Sequence, residues 1–302
     1  MARFAIHAEA LTRRHGSVLA VDRVDLRVPE KSIYAFLGAN GAGKTTTIRM
    51  LLGLLEPQEG TLEVLGRPMP SARRDVLREV GAMVELPSLY PHLTGRENLD
   101  ITRRLKACAS SAVDWALELV GLADAADRRV QGYSLGMRQR LGLALALLGK
   151  PRLVILDEPT NGLDPAGIRE IRDLLARLPE ATGATVFLSS HLLSEVEQLA
   201  THLAVLDKGR LRFQGSLEEL QLRQRPQLRI ETAEAGRAFE LLRADGHAPR
   251  LVGDGALELD GATAGSAASI NARLVIQGVP VHHLSLLRPS LERWFLDEGE
   301  VA

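Results

Sequence analysis

A chain of 302 residues with one cysteine, Cys108, excludes an internal disulfide framework, and its formal net charge of −1 gives no electrostatic footprint for nucleic acid or an acidic membrane surface. Its 45% hydrophobic and 25% charged residues are ordinary for a soluble globular chain of about two domains. No window reaches the ~20 apolar residues of a membrane span. The first ten residues carry Arg3, His7 and Glu9 where a secretory signal would be apolar, so work at a membrane calls for other chains.

In chain order, residues 3–35 read as short strands, because segments such as SVLAVDRVDLRV alternate apolar and polar positions like a half-buried antiparallel sheet. SIYAFLG is a β-rich run ending in a glycine-rich loop. Residues 44–54 follow with helical spacing, Ile48, Leu51, Leu52 and Leu55 sharing one side. Residues 88–150 read as helical, with apolar stripes in AVDWALELVGL and LGMRQRLGLALALLG. RLVILDEP has the length and continuous apolarity of a parallel strand covered on both faces. Asp164–Pro165 is a good helix start, ATVFLSS a further buried strand, and LAVLDKGRLRF a hairpin turning at Lys208–Gly209. Composition shifts near residues 216–226, where LRQRP reads as a linker. Beyond it, strand, helix, two strands, helix, strand and a last helix suit a small α+β sandwich.

GANGAGKTT, Gly38 to Thr46, matches G-x-x-x-x-G-K-[ST] between a strand and a helix, as a phosphate-binding loop requires. Gly38, Gly41 and Gly43 let the backbone curl, aiming N–H groups at the β- and γ-phosphates, with the helix N-terminus adding positive potential. The nucleotide is therefore expected on Asn40, Gly41, Ala42, Gly43, Lys44, Thr45 and Thr46, with Lys44 on phosphate oxygens and the Thr45 hydroxyl on Mg²⁺. A glycine turn that merely caps a helix is the alternative, and the full motif in its context argues against it. Asp157 and Glu158 end the apolar strand LVILDEP, at the edge where open parallel sheets bind ligands. Asp157 is expected to hold Mg²⁺ through water, and Glu158 to orient or deprotonate the water that attacks ATP.

YSLGMRQRLGLALALLGKPRLVILDEPTNGLDP, Tyr133 to Pro165, resembles the signature, acidic strand end and D-loop of ABC transporter ATP-binding subunits, in that family's order. The resemblance covers residues 4–215. It implies an α/β P-loop NTPase core over residues 1–216, with an antiparallel β subdomain and a helical subdomain at about 86–150; the element order read beyond it adds a small α+β C-terminal domain over 226–302. Ser134 and Gly136 fall on the serine and second glycine of the family's L-S-G-G-Q, Leu135 standing for the first glycine and Met137 for the glutamine. In the family this helix start binds the γ-phosphate held by a second subunit. The resemblance thus implies an ATP-glued homodimer, with Asp164 near the seam and His191 of FLSSHLLSEVE on the γ-phosphate.

His15 in RRHGSVLAV stands where the family stacks an aromatic residue on adenine, and Val21 is placed on the ribose side. Glu85 in GAMVELPSLYPHLTGRENL stands where most members carry a glutamine that approaches Mg²⁺. That glutamate, with YSLGMRQRLG, resembles the subset linked to bacitracin and lantibiotic self-protection, and PSLERWFL resembles the subset's C-terminal extension more loosely. Implied with it are export of a drug or peptide antibiotic, a peripheral place on the cytoplasmic face of the cell membrane, and integral membrane permease partners rather than nucleic acid. The permease is expected on the helical segment and the loop around residues 85–98, with Leu86, Leu89, Tyr90 and Leu93 as the loop's apolar contacts. A soluble ABC-type ATPase of translation or DNA repair is the other reading. Ribosome-acting members usually carry two cassettes, against one here, and repair members insert a long coiled coil. A subunit that binds ATP without turnover is opposed by Lys44, Asp157, Glu158 and His191.

Overall fold

The computed structural model describes residues 3–223, 226–253, 255–287, 291 and 294. The chain divides into two compact units, residues 1–217 and 218–302.

In the first unit, β1 (Phe4–His15) and β2 (Val18–Pro29) form a long hairpin whose alternation buries Ile6, Ala8, Leu11, Val21, Val24, Leu26 and Val28. β3 (Ile33–Leu37) is buried throughout and runs through the loop at residues 38–43 into α1 (Lys44–Leu51). β4 (Glu59–Val64) returns beside β1, and β5 (Arg67–Pro68) completes a four-stranded antiparallel sheet. α2 (Arg73–Arg78) leads to β6 (Val80–Met83), and then come α3 (Gly95–Leu105), α4 (Ser111–Leu119) and α5 (Leu135–Leu147). Thr94 and Glu97 close a capping box at the start of α3, and the hydrogen bond from the Thr94 backbone N–H holds the Glu97 carboxyl below its ordinary range. The chain then lays down β7 (Leu153–Asp157), α6 (Pro165–Thr182), β8 (Thr185–Ser190), α7 (Leu193–Leu199), β9 (His202–Asp207) and β10 (Arg210–Ser216).

The second sheet has the order β10-β9-β3-β8-β7-β6, parallel except for the edge hairpin β9–β10. β3, β7 and β8 are buried at every position, as continuous apolar strands covered on both faces should be. Tyr34, Phe36 and Phe187 stack across β3 and β8, centroids 5.6–5.7 Å apart. This order sets the ends of β3, β7 and β8 side by side, Leu37 opposite Ser190 and Ser189 opposite Asp157. Three loops far apart in sequence therefore open at one sheet edge.

α5 lies on β6 at backbone distance. A Cβ on Gly81 would fall 2.0 Å from the Ala146 carbonyl oxygen, and one on Gly142 would fall 2.5 Å from Pro87 Cβ. Gly81→Ala is therefore expected to destabilise the first unit by about 3 kcal/mol, the upper end for overpacking. Chemical denaturation of the purified variant measures this, and an unchanged midpoint contradicts the packing.

Two expectations need correction. Helix does not begin at residue 88 but at Gly95, because Pro87 and Pro91 keep residues 84–94 out of the helical ladder. The supposed linker begins as a helix, α8 (Leu217–Arg223), with Glu218 and Glu219 in its first turn where they complement the helix dipole.

The second unit runs β11 (Gln227–Glu231), α9 (Ala235–Ala244), β12 (Arg250–Val252), β13 (Ala256–Asp260), α10 (Ala264–Ile276) and β14 (His283–Leu287). Its sheet order β12-β13-β11-β14 is antiparallel throughout, the split βαβ sandwich. Leu228, Ile230, Leu257 and Leu259 pack against Ala238, Leu242, Ile270 and Leu274 of the two helices. Of the expected last helix only Leu291 and Trp294 are described, both helical, and its other residues lie outside the described ones.

Candidate active site

Gly38 and Gly43 shape the loop after β3. A Cβ on Gly38 would meet the Leu206 carbonyl oxygen at 2.5 Å, and one on Gly43, at φ 109°, would meet the Ala20 carbonyl oxygen at 2.3 Å. Only glycine fits at either position. The loop opens a cleft lined by Ala20, Ala39, Asn40, Gly41, Gly43, Lys44, Thr45, Thr46 and Glu158. Ala42 turns inward to the core instead.

Lys44 is 6% exposed. Its Nζ donates to the Gly38 and Ala39 carbonyls at 2.6 and 3.3 Å and lies 3.0 Å from Glu158 Oε1. That oxygen is out of solvent and accepts no aligned hydrogen bond, so the pairing is ionic only. Glu158 Oε2 lies 2.7 Å from His191 Nδ1, which places the imidazole proton on Nδ1 facing the carboxylate. Glu158 itself sits at φ 49°, a strained backbone for a residue with a side chain. Lys44, Glu158 and His191 thus form one charged chain across the ends of β3, β7 and β8.

Beside it, Asp157 is buried with Oδ2 accepting from the Thr45 hydroxyl at 3.0 Å. Ser189 Oγ donates to Asp157 Oδ1 at 2.6 Å and accepts from the Glu158 N–H at 2.9 Å. Ser189 therefore fixes the Asp157 carboxylate and the Glu158 backbone at once, a role that sequence reasoning missed. The available signal was the polar pair Ser189–Ser190 ending an otherwise apolar, buried strand. Thr45 and Asp157 offer hard oxygen atoms and leave most of a coordination shell to water and phosphate. That is how Mg²⁺ is commonly held, so the residues fit the ion.

The outlying candidates are less convergent. His15 Nε2 lies 3.5 Å from Thr46 Oγ1 and is exposed at the cleft mouth. Val21 is fully buried in the core and cannot face a ribose. Strand alternation turns its neighbour Ala20 to the cleft instead. Glu85, at φ 59°, is paired with Arg49 at 2.7 Å and not with the Thr45–Asp157 group.

Residues 21–161 match the ABC transporter family profile. The bacitracin transport ATP-binding protein BcrA of Bacillus licheniformis is 40% identical over 289 residues, 95% of this chain and 94% of that protein. The lantibiotic transport ATP-binding protein SrtF of Streptococcus pyogenes is 39% identical over 216 residues, 70% of this chain and 93% of that protein. This chain belongs to the family of ABC transporter ATP-binding proteins. Among solved structures, cbiO1 from Clostridium perfringens, part of the ABC transporter complex cbiONQ, shares the fold. The TM-score is 0.67 at 24% identity, over 72% of this chain and 90% of that one.

In this ABC protein Ser134 and Gly136 do not line the cleft of the phosphate loop. Ser134 is exposed and caps α5, accepting from the Met137 N–H at 3.2 Å. Asp164 likewise caps α6, accepting from the Gly167 N–H at 3.1 Å. The two caps are neighbours: an added Cβ on Gly162 would sit 3.4 Å from Leu135 Cδ2, and one on Gly136 would sit 3.9 Å from Leu163 Cδ2. Gly136 therefore has room for a side chain, and nothing in its own chain demands a glycine there. Among the described residues, no helix is long and apolar enough to cross a membrane.

Proposed function

We propose that this chain binds and hydrolyses ATP and thereby powers a transporter whose membrane part is a separate permease. The observation that carries this reading is the chain Lys44–Glu158–His191, set across a glycine-built phosphate loop with Thr45 and Asp157 beside it. Incoming β- and γ-phosphates offer Lys44 a stronger partner than Glu158, since charge-assisted bonds to phosphate are among the strongest available. Glu158 is then free to accept a proton from water, and the His191 bond holds its other oxygen in place. Water adds to the γ-phosphorus as the bond to the ADP oxygen breaks, giving ADP and inorganic phosphate. Thr45 and Asp157 would hold Mg²⁺, which when bound would neutralise charge on the phosphates. The roles of Asn40, Gly41, Gly43 and Thr46 follow from their place on the cleft.

The site is proposed to close on a second copy. Ser134, the free space at Gly136 and the Asp164 cap stand together on the surface, and the N–H groups that begin a 13-residue helix suit a γ-phosphate. Full-length likeness to BcrA, together with SrtF, supports export of a peptide antibiotic or related drug at the cytoplasmic face of the membrane.

Leu86 and Tyr90, 69% and 51% exposed, lie in the loop between β6 and α3, and Leu89 and Leu93 are half-buried beside them. Such an apolar patch suits the permease. Purified protein is expected to hydrolyse ATP with Mg²⁺, and Leu86→Glu with Tyr90→Glu should leave that rate within about twofold while lowering recovery with membranes. Unchanged recovery moves the docking site elsewhere, and absent turnover overturns the ATPase reading.

A further inference from the structure

The turn after Glu158 leads to the Asp164 cap and is held by its own backbone. The Asn161 N–H donates to the Glu158 carbonyl at 3.1 Å, and the Leu163 N–H to the Thr160 carbonyl at 3.2 Å. Its side-chain tie to the rest of the unit is Thr160, 7% exposed, whose hydroxyl donates at 2.8 Å to Glu195 Oε2. Glu195 stands in the first turn of α7, the helix that begins two residues after His191. The other Glu195 oxygen, Oε1, is out of solvent and has no hydrogen-bond donor. It belongs to a small pocket lined also by Pro159, Leu175, Leu188 and Val196. Arg172 lines the same pocket, but its guanidinium is engaged by Gln198 and Asp173.

A carboxylate half-satisfied among apolar side chains is a poor choice for stability. Well-packed apolar residues commonly do as well or better in such places, and each unmet polar atom carries a desolvation penalty. What a carboxylate supplies here, and an apolar residue would not, is a directed hydrogen bond from α7 to the turn. We propose that Glu195 is a positioning residue: it locks the helix behind His191 to the turn bearing Glu158 and Asp164, so that histidine, carboxylate and D-loop move as one body. The proposal rests on the ATPase reading above and assigns its geometry to a residue that touches neither nucleotide nor metal. It also gives the D-loop a mechanical report of the histidine's position. Displacing His191 at one site displaces Asp164 at the seam through Glu195 and Thr160.

The test uses the full chain with Glu195→Ala, Glu195→Gln, Thr160→Val and the double variant Thr160→Val/Glu195→Ala. Glu195→Ala should lower kcat about tenfold, within the range of coupled neighbours, with affinity for a fluorescent ATP analogue within about twofold of the parent. Glu195→Gln should restore kcat, because its amide oxygen accepts the same hydroxyl. The double variant should be no slower than either single one. In ligand-free protein, the His191 imidazole NMR signal should move in Glu195→Ala and return in Glu195→Gln. The proposal is overturned if glutamine is as slow as alanine, if the two single effects multiply, or if melting temperature falls while kcat and the imidazole signal stay put. Failure of the ATPase reading shows differently, as equal turnover in the parent and Lys44→Ala, and the imidazole signal still decides the role of Glu195 in that case.

Discussion

Glu158→Gln is expected to slow ATP turnover by about 10²–10⁴-fold, the worth of a positioned general base, while binding ATP at least as tightly as the parent. Both halves follow from the same contacts. The amide keeps the shape and can still accept from His191, but it cannot take a proton from water. It also removes a negative charge from the space beside the phosphates and releases Lys44 from its 3.0 Å ion pair. ATP should therefore stay bound, and two copies should stay together around it. Single-turnover hydrolysis measures the chemical step, and gel filtration with ATP and Mg²⁺ measures the dimer. A variant that turns over at the parental rate removes Glu158 from the base role. One that binds ATP yet remains monomeric removes the two-copy site.

Lys44→Ala should behave in the opposite way, losing affinity as well as turnover. One charge-assisted contact to phosphate is worth about 1.5–3 kcal/mol, so nucleotide affinity should fall roughly 10- to 150-fold. The lysine also organises the loop itself. Its ammonium bridges the Gly38 and Ala39 carbonyls and faces a Glu158 oxygen that has no aligned hydrogen bond. Truncation leaves those acceptors unmatched, so the loop should lose order before any nucleotide arrives. Titration with a fluorescent ATP analogue, beside a thermal melt, separates the two effects. Parental affinity in Lys44→Ala would place the phosphates away from this loop.

Legibility in the sequence tracked how local the physics is. The phosphate loop is contiguous, and its glycines, lysine and threonine are fixed by the tight turn itself, so Gly38 to Thr46 could be read directly. The buried strands β7 and β8 announced themselves by unbroken apolar runs. Ser189 was missed because its meaning depends on the register that sets it opposite Asp157, and register between parallel strands leaves no mark in either strand alone. Val21 was expected at the cleft but is buried in the core, because in a strand a step of one residue reverses the face. Glu85 was read toward the metal, and its pairing with Arg49, a residue unremarkable in the sequence of α1, was not foreseen. The split βαβ order of the second unit was readable because each element is short and separately punctuated, but its strand pairing was not.

The backbone contact between α5 and β6 has a mechanical consequence. Glycines at Gly81 and Gly142 let the helix rest on the strand and on Pro87, and they make that crossing a fulcrum rather than a cushion. Ser134 lies eight residues before Gly142, about 12 Å along a helix that rises ~1.5 Å per residue. A tilt of roughly 10° over that length carries the helix start about 2 Å sideways, enough to make or break a hydrogen bond. Pro87 sits two residues beyond Glu85 and presses on the fulcrum itself. A small shift of the Glu85 loop would thus be levered into a larger one at Ser134, so the permease and the second copy proposed above would act on the two arms of one lever.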